Sequence, residues 1–132
     1  MAGLYLDTSA LGRVLLAEPD AAAIRATLAR YDGWWSSGLL IVELRRLAAR
    51  EGLQAIAETM LRGVRTVPVD RAALDRSSRL LPLEVRSLDA IHLDAARQLH
   101  GAGEVAAVLT FDHQLQGGCA HHGLPVEAPA AV

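Results

Sequence analysis

Two short apolar runs stop at an aspartate: residues 4–11 read LYLDTSAL and residues 105–112 read VAAVLTFD. Neither run alternates polar with apolar residues, the pattern of a strand buried on both faces rather than one with a wet side. Helical spacing fills the intervals between such runs. Strands that alternate with helices in this way point to a parallel sheet covered on both faces, so the fold class is α/β. In open parallel sheets the ligand crevice lies outside the carboxyl ends of the strands. Asp7 and Asp112 are therefore candidates to converge there, although an aspartate at a strand end can equally do no more than cap the next helix.

The elements can be placed from their punctuation. Residues 3–7 read as a strand, and Thr8 or Ser9 can cap a helix running to Leu16. Pro19-Asp20 opens a second helix, with Ala23, Ile24, Thr27 and Leu28 at helical spacing, and Gly33 closes it. Trp34-Trp35 suggests a short strand. Ser36 or Ser37 then caps a helix to about Arg50, stopped by Gly52. A further helix to about Leu61 precedes a strand at Val64–Val69, and Asp70 caps a helix that ends before Pro82. Ser87 caps another to about Leu99, Val105–Leu109 is a strand, Asp112–His122 holds a short helix, and Val126 belongs to a last strand.

Composition narrows the function. A chain of 132 residues, 52% hydrophobic, suits one domain with a real core, taken as 1–132. Its apolar runs are too short to span a membrane, and the N-terminus lacks the basic-then-apolar order of a signal peptide. The single cysteine, Cys119, cannot form an internal disulfide, which suits a reducing cytoplasm. The net charge of −2 gives no global attraction to nucleic acid, so any such contact rests on local patches. All thirteen basic residues are arginine. Lysine-dependent mechanisms are thereby excluded.

Two more acids join the strand-end pair. Glu43, in SSGLLIVELRRLA (residues 36–48), borders the apolar stripe of Leu40, Leu44 and Leu47 on the inward flank of its helix. A surface pair with Arg46 is its plain alternative. Asp89, in RSLDAIHLDAA (residues 86–96), heads the stripe containing Leu93 and Ala96, about 130° from a polar face made by Asp94, Arg97 and Gln98. A first-turn acid gains from the helix dipole, but a carboxylate turned inward is costly unless something neutralises it. Asp94, on the polar face, is expected to point to solvent and to lie outside the site. Four acids without lysines repel one another, and hard divalent cations such as Mg²⁺ or Mn²⁺, which take oxygen ligands, resolve that repulsion.

The segments LDTSAL, S-x-x-x-x-x-E-L at 37–44, RSLDAIHLDAA and LTFDHQL stand in an order and spacing that resembles the PIN-domain family, specifically VapC-type toxins. The resemblance implies a PIN-like fold, a central parallel sheet flanked by helices, often dimeric. It implies a Mg²⁺- or Mn²⁺-dependent endoribonuclease acting on structured RNA such as tRNA or rRNA, and a VapB-like antitoxin that blocks the groove. The family's acidic quartet falls on Asp7, Glu43, Asp89 and Asp112, with Thr8, Ser9 and Thr110 where polar neighbours of the metal are common. Asp94 departs from the family in standing where a small residue is usual.

Secondary candidates have plain alternatives. Arg45, Arg46 and Arg50 flank Glu43 and could meet an RNA backbone, or form a solvated helix face. His92 follows Asp89 by one turn and could support the metal ligands; more often such a histidine is simply packed. Cys119, His121 and His122 match no strong zinc spacing and read as a surface helix end. Trp34 and Trp35 could stack on bases but read better as core. A receiver domain or a haloacid-dehalogenase-type phosphatase also places aspartates at strand ends, yet both need a lysine, and Asp7 is followed by Thr8-Ser9 rather than an Asp-x-Asp pattern. No G-x-G-x-x-G follows a strand, which excludes a dinucleotide site. A degenerate domain that binds RNA or protein without cleaving, and a housekeeping RNA-processing nuclease, are the remaining alternatives.

Overall fold

A computed structural model describes residues 2–130. Five strands, β1 (Gly3–Leu6), β2 (Trp34–Ser37), β3 (Arg65–Val67), β4 (Val105–Leu109) and β5 (Val126–Glu127), form one sheet in the order β3-β2-β1-β4-β5. Every pairing is parallel. The chain first builds outward from β1 through β2 to β3, then returns to lay β4 on the other side of β1. The direction of winding therefore reverses between β1 and β4, and a crevice opens beyond their carboxyl ends. Asp7 and Asp112 follow those two strands.

Seven helices cover the sheet: α1 (Thr8–Leu15), α2 (Ala21–Leu28), α3 (Leu39–Glu51), α4 (Gln54–Arg62), α5 (Arg71–Ser78), α6 (Ser87–Gly101) and α7 (His113–His121). Successive side chains of a strand face opposite sides, and β1 shows it. Leu4 and Leu6 enter a core with Leu11 and Leu15 of α1, Ile24 of α2, and Leu40 and Leu44 of α3. Tyr5 enters the other core, with Leu93, Ala96 and Leu99 of α6 and Leu115 and Cys119 of α7. The tryptophans divide the same way, Trp34 packing on the first core and Trp35 on the second. Among the described residues no helix is long and apolar enough to cross a membrane.

The helix boundaries correct the sequence reading in places. Asp7, rather than Thr8 or Ser9, caps α1 by accepting the Ala10 N–H. Ser36 and Ser37 both belong to β2, and Gly38 stands at the N-cap of α3, though the Ser37 hydroxyl still accepts the Leu39 N–H at 3.1 Å. Arg86 occupies the N-cap of α6 without a side-chain bond, so Ser87 is inside the helix. The second helix ends at Leu28, well short of Gly33, dissolving into tight turns in which Arg30 and Tyr31 donate to Thr27 and Leu28. β3 is shorter than 64–69 because Pro68, having no N–H, cannot extend the ladder. Gly52 ends α3 in the left-handed conformation at φ 69°, as its position implies.

Candidate metal centre

Asp7 leaves the end of β1 buried, and its two oxygens are spoken for. Oδ1 accepts the Ser9 hydroxyl at 2.7 Å and the Ala10 N–H at 3.3 Å, while Oδ2 accepts the Thr110 hydroxyl at 2.8 Å. Burial pushes the Asp7 carboxyl above the ordinary range, against the opposing hydrogen bonds from Ser9 and Thr110. Thr110, fully buried, also accepts the Asp112 backbone N–H at 3.1 Å, so one hydroxyl ties the end of β1 to the end of β4. Ser9 adds a second tie by accepting the Phe111 N–H at 3.0 Å. Asp112 itself caps α7 through the Leu115 N–H at 2.9 Å. The strand-end aspartates thus do cap helices, and they also share a site.

Asp89 reaches the same place from the first turn of α6, its side chain 20% exposed. Its pKa is raised, by burial first and then by the charges of Asp112 and Asp7. That is the signature of three carboxylates close enough to repel one another. Arg86, which the sequence reading did not single out, places its guanidinium 4.0 Å from Asp89 and 3.9 Å from Asp112. It is largely exposed and neutralises the pair only in part.

Glu43 stands beside these acids under a different hold. Its Oε1 accepts the Thr8 hydroxyl at 2.7 Å and lies 2.9 Å from His92 Nε2. Burial pushes the Glu43 carboxyl up, but the hydrogen bonds from His92 and Thr8 outweigh it and keep the group below its ordinary value. His92 is buried, and its Nδ1 lies 2.7 Å from the Tyr5 hydroxyl. Tyr5 was not singled out either. The available signal was strand alternation, which sends Tyr5 to the face opposite Leu4 and Leu6, where α6 packs.

The donor chemistry fits a hard divalent cation, since Asp7, Asp89 and Asp112 offer only oxygen and their mutual repulsion is relieved by positive charge. Yet among the described residues no three His, Cys, Asp or Glu side chains are gathered closely enough to make a ready ligand group. Holding a cation requires side chains to rotate toward one another, and Glu43 can keep Thr8 and His92 on Oε1 while offering Oε2.

The arginines divide. Arg46 and Arg50 line a cleft of about 520 Å³ with Thr8, Glu43, Val42 and Leu88. Arg45 turns the other way and pairs with Glu58 of α4 at 2.7 Å. Asp94 requires a larger correction. It is 2% exposed rather than on a solvent face, because α5 packs over α6 there and Arg76 grips both its oxygens at 3.0 and 3.2 Å. Cys119 is fully buried in the α6–α7 core rather than at a surface helix end, while His121 is exposed and His122 bonds the Leu81 carbonyl, so the three do not share one face.

Comparison with known proteins decides the lineage: the PIN domain family model matches residues 4–117. The chain belongs to the PIN-domain family. Its relatives within that family include Ribonuclease VapC47 of Mycobacterium tuberculosis, 36% identical over 98% of both chains. Ribonuclease VapC46 of the same species is 33% identical over 98% of this chain and all of the relative. A solved toxin–antitoxin complex from Klebsiella pneumoniae matches with a TM-score of 0.71 over 99% of this chain and 100% of that one. At 19% identity, that likeness carries the PIN fold alone.

Proposed function

We propose that this PIN domain is the toxin of a VapBC-type toxin–antitoxin pair, an endoribonuclease that needs Mg²⁺ or Mn²⁺. The observation that carries the reading is the convergence of Asp7, Asp89 and Asp112 beyond β1 and β4, where Thr110 ties Asp7 to Asp112 and Arg86 lies against both Asp89 and Asp112. Asp89 is disfavoured there as an anion by burial and then by its two neighbours. Asp7, Asp89 and Asp112 would hold the cation, with Glu43 completing the set. When bound, Mg²⁺ or Mn²⁺ supplies Lewis acidity that makes water a better nucleophile and offsets phosphate charge. Glu43, ionised at neutral pH under the hold of Thr8 and His92, accepts a hydrogen bond from water in the cleft. Ser9 and Thr110 fix the Asp7 carboxylate by donating to it. Arg46 and Arg50 engage the RNA backbone along the cleft. In-line attack by water would leave a 5′-phosphate and a 3′-hydroxyl.

The relatives' names support ribonuclease activity, and the cleft supports the antitoxin's place. Leu40 and Leu44 are sealed in the core, so the apolar surface open to an antitoxin tail is Val42, Leu88, Leu39 and Leu47, with Arg46 and Arg50 beside it. An acidic, apolar-rich tail fits that lining. The chain acts in the cytoplasm on tRNA or rRNA and assembles as a homodimer, which sedimentation would read. One competitor is a PIN domain that binds RNA or protein without cleaving. Titration with Mn²⁺ followed by RNA digestion separates the two. Saturable binding with chelator-sensitive cleavage supports the nuclease; saturable RNA binding without cleavage supports the competitor.

A further inference from the structure

Tyr5 is fully buried on the α6 side of the sheet, and its hydroxyl accepts the Ser37 backbone N–H at 3.1 Å. The same hydroxyl lies 2.7 Å from Nδ1 of His92, itself only 2% exposed. The Ser36 hydroxyl donates to the Leu6 carbonyl, and the Ser37 N–H occupies one acceptor position of the phenol oxygen. A carboxylate at Nε2 calls for a donor there, so Nδ1 accepts the phenol proton. An imidazole that accepts at Nδ1 carries its hydrogen on Nε2, and Nε2 is the atom 2.9 Å from Glu43 Oε1. The chain of bonds thus runs in one direction, from the β2 backbone through Tyr5 and His92 to Glu43.

A histidine that only fills space can satisfy its ring with any nearby carbonyl. Here both ring nitrogens are spent on side chains distant in sequence, and together they join β1, α6 and α3. A buried polar chain is costly unless every link is made, and this one ends on a carboxylate lining the cleft. We infer that Tyr5 and His92 are positioning residues, a relay that fixes His92 as a donor to Glu43 and so sets how that carboxylate faces the other three acids. The inference rests on the reading of the four acids as a cation site. Both bonds to Glu43 fall on Oε1, which leaves Oε2 to face the cation.

The test uses the full chain and Mn²⁺ alone, titrated by calorimetry, with melting in EDTA to report folding. Tyr5→Phe keeps the buried ring and removes only the hydroxyl. It and His92→Ala should weaken Mn²⁺ binding by about tenfold or more, within the range seen for groups that orient metal ligands. His92→Gln, whose amide can still donate toward Glu43, should recover part of that loss. On RNA, Tyr5→Phe should lower kcat with KM little changed. Asp94→Asn disturbs the same helix on its α5 side and should lower the melting temperature without moving Mn²⁺ affinity. Parental Mn²⁺ affinity in folded Tyr5→Phe would overturn the inference, as would an equal loss in Asp94→Asn. A parent chain that binds no Mn²⁺ would overturn the cation-site reading and the relay's role with it.

Discussion

Asp89 and Asp94 sit on one helix and are neutralised in opposite ways. Asp94 is gripped at both oxygens by Arg76, whereas Asp89 has only Arg86 at 4.0 Å and suffers the charges of Asp112 and Asp7. Asp94→Asn removes an anion whose partner is partly exposed and can be rehydrated, so it should lower the melting temperature by a few degrees and leave RNA cleavage intact. Asp89→Asn should abolish most cleavage, yet in EDTA at neutral pH it should melt no lower than the parent. A carboxylate whose pKa is raised by folding binds its proton more tightly in the native state, so its ionisation destabilises the fold. The penalty is absent below the unfolded pKa and grows as pH rises through the folded one. The gap between Asp89→Asn and the parent should therefore be widest at neutral pH and close on acidification, which melting curves across that range would read. A gap independent of pH would contradict the charge account. Periodicity placed Leu93 and Ala96 in the core as expected but put Asp94 in solvent, where it is not. What it could not supply was the identity of the covering element: α5 with Arg76 covers Asp94, while Arg97 and Gln98 beside it stay exposed.

Between elements, α7 approaches α6 closely at Gly118, where an added Cβ would stand 2.7 Å from Leu93 Cδ2 and 3.1 Å from Val85 Cγ2. Gly118→Ala gains about 1 kcal/mol of helix propensity, but crowding a side chain with no free space costs about 1–3 kcal/mol. A net loss in the urea midpoint is expected, with Mn²⁺ affinity unchanged. Cys119 beside it has its thiol pushed up to about 12, by burial and then by Asp7, so native protein should react with thiol reagents only after unfolding. Rapid labelling in native buffer would show that the α6–α7 core opens readily. The strands were legible because short unalternating apolar runs have few other uses. The caps were less so: where Asp7, Thr8 and Ser9 are consecutive, each can cap a helix, and only the observed bonds select Asp7. Adjacent arginines raise the same difficulty. Arg45 and Arg46 point apart on α3, and the position of α4, which takes Arg45 through Glu58, is a tertiary fact.

For the whole molecule, a reversal of winding between β1 and β4 gathers acids from β1, α6 and the end of β4 at one crevice, with Glu43 of α3 alongside. The four positions were readable from sequence because each sits at a strand end or on an inward helix flank; Tyr5 and Arg86 were not, since their importance lies in contacts between distant elements. A toxin built this way should arrest growth when expressed alone, and its neighbouring antitoxin gene should restore growth. Asp7→Asn should need no such rescue, because an amide in that place weakens the hold on the cation. Harmless expression of an active nuclease with no recovered partner would favour housekeeping RNA processing. The central claim is that the carboxylates beyond β1 and β4 act on RNA through a divalent cation. Its most direct test is digestion of total RNA by the purified chain and by Asp7→Asn, each with Mn²⁺ and with EDTA, followed by analysis of the new ends. Cleavage by the parent only with Mn²⁺, leaving 5′-phosphates, with Asp7→Asn inert, is the expected result; undiminished cleavage in EDTA, or 2′,3′-cyclic phosphate ends, would contradict the account.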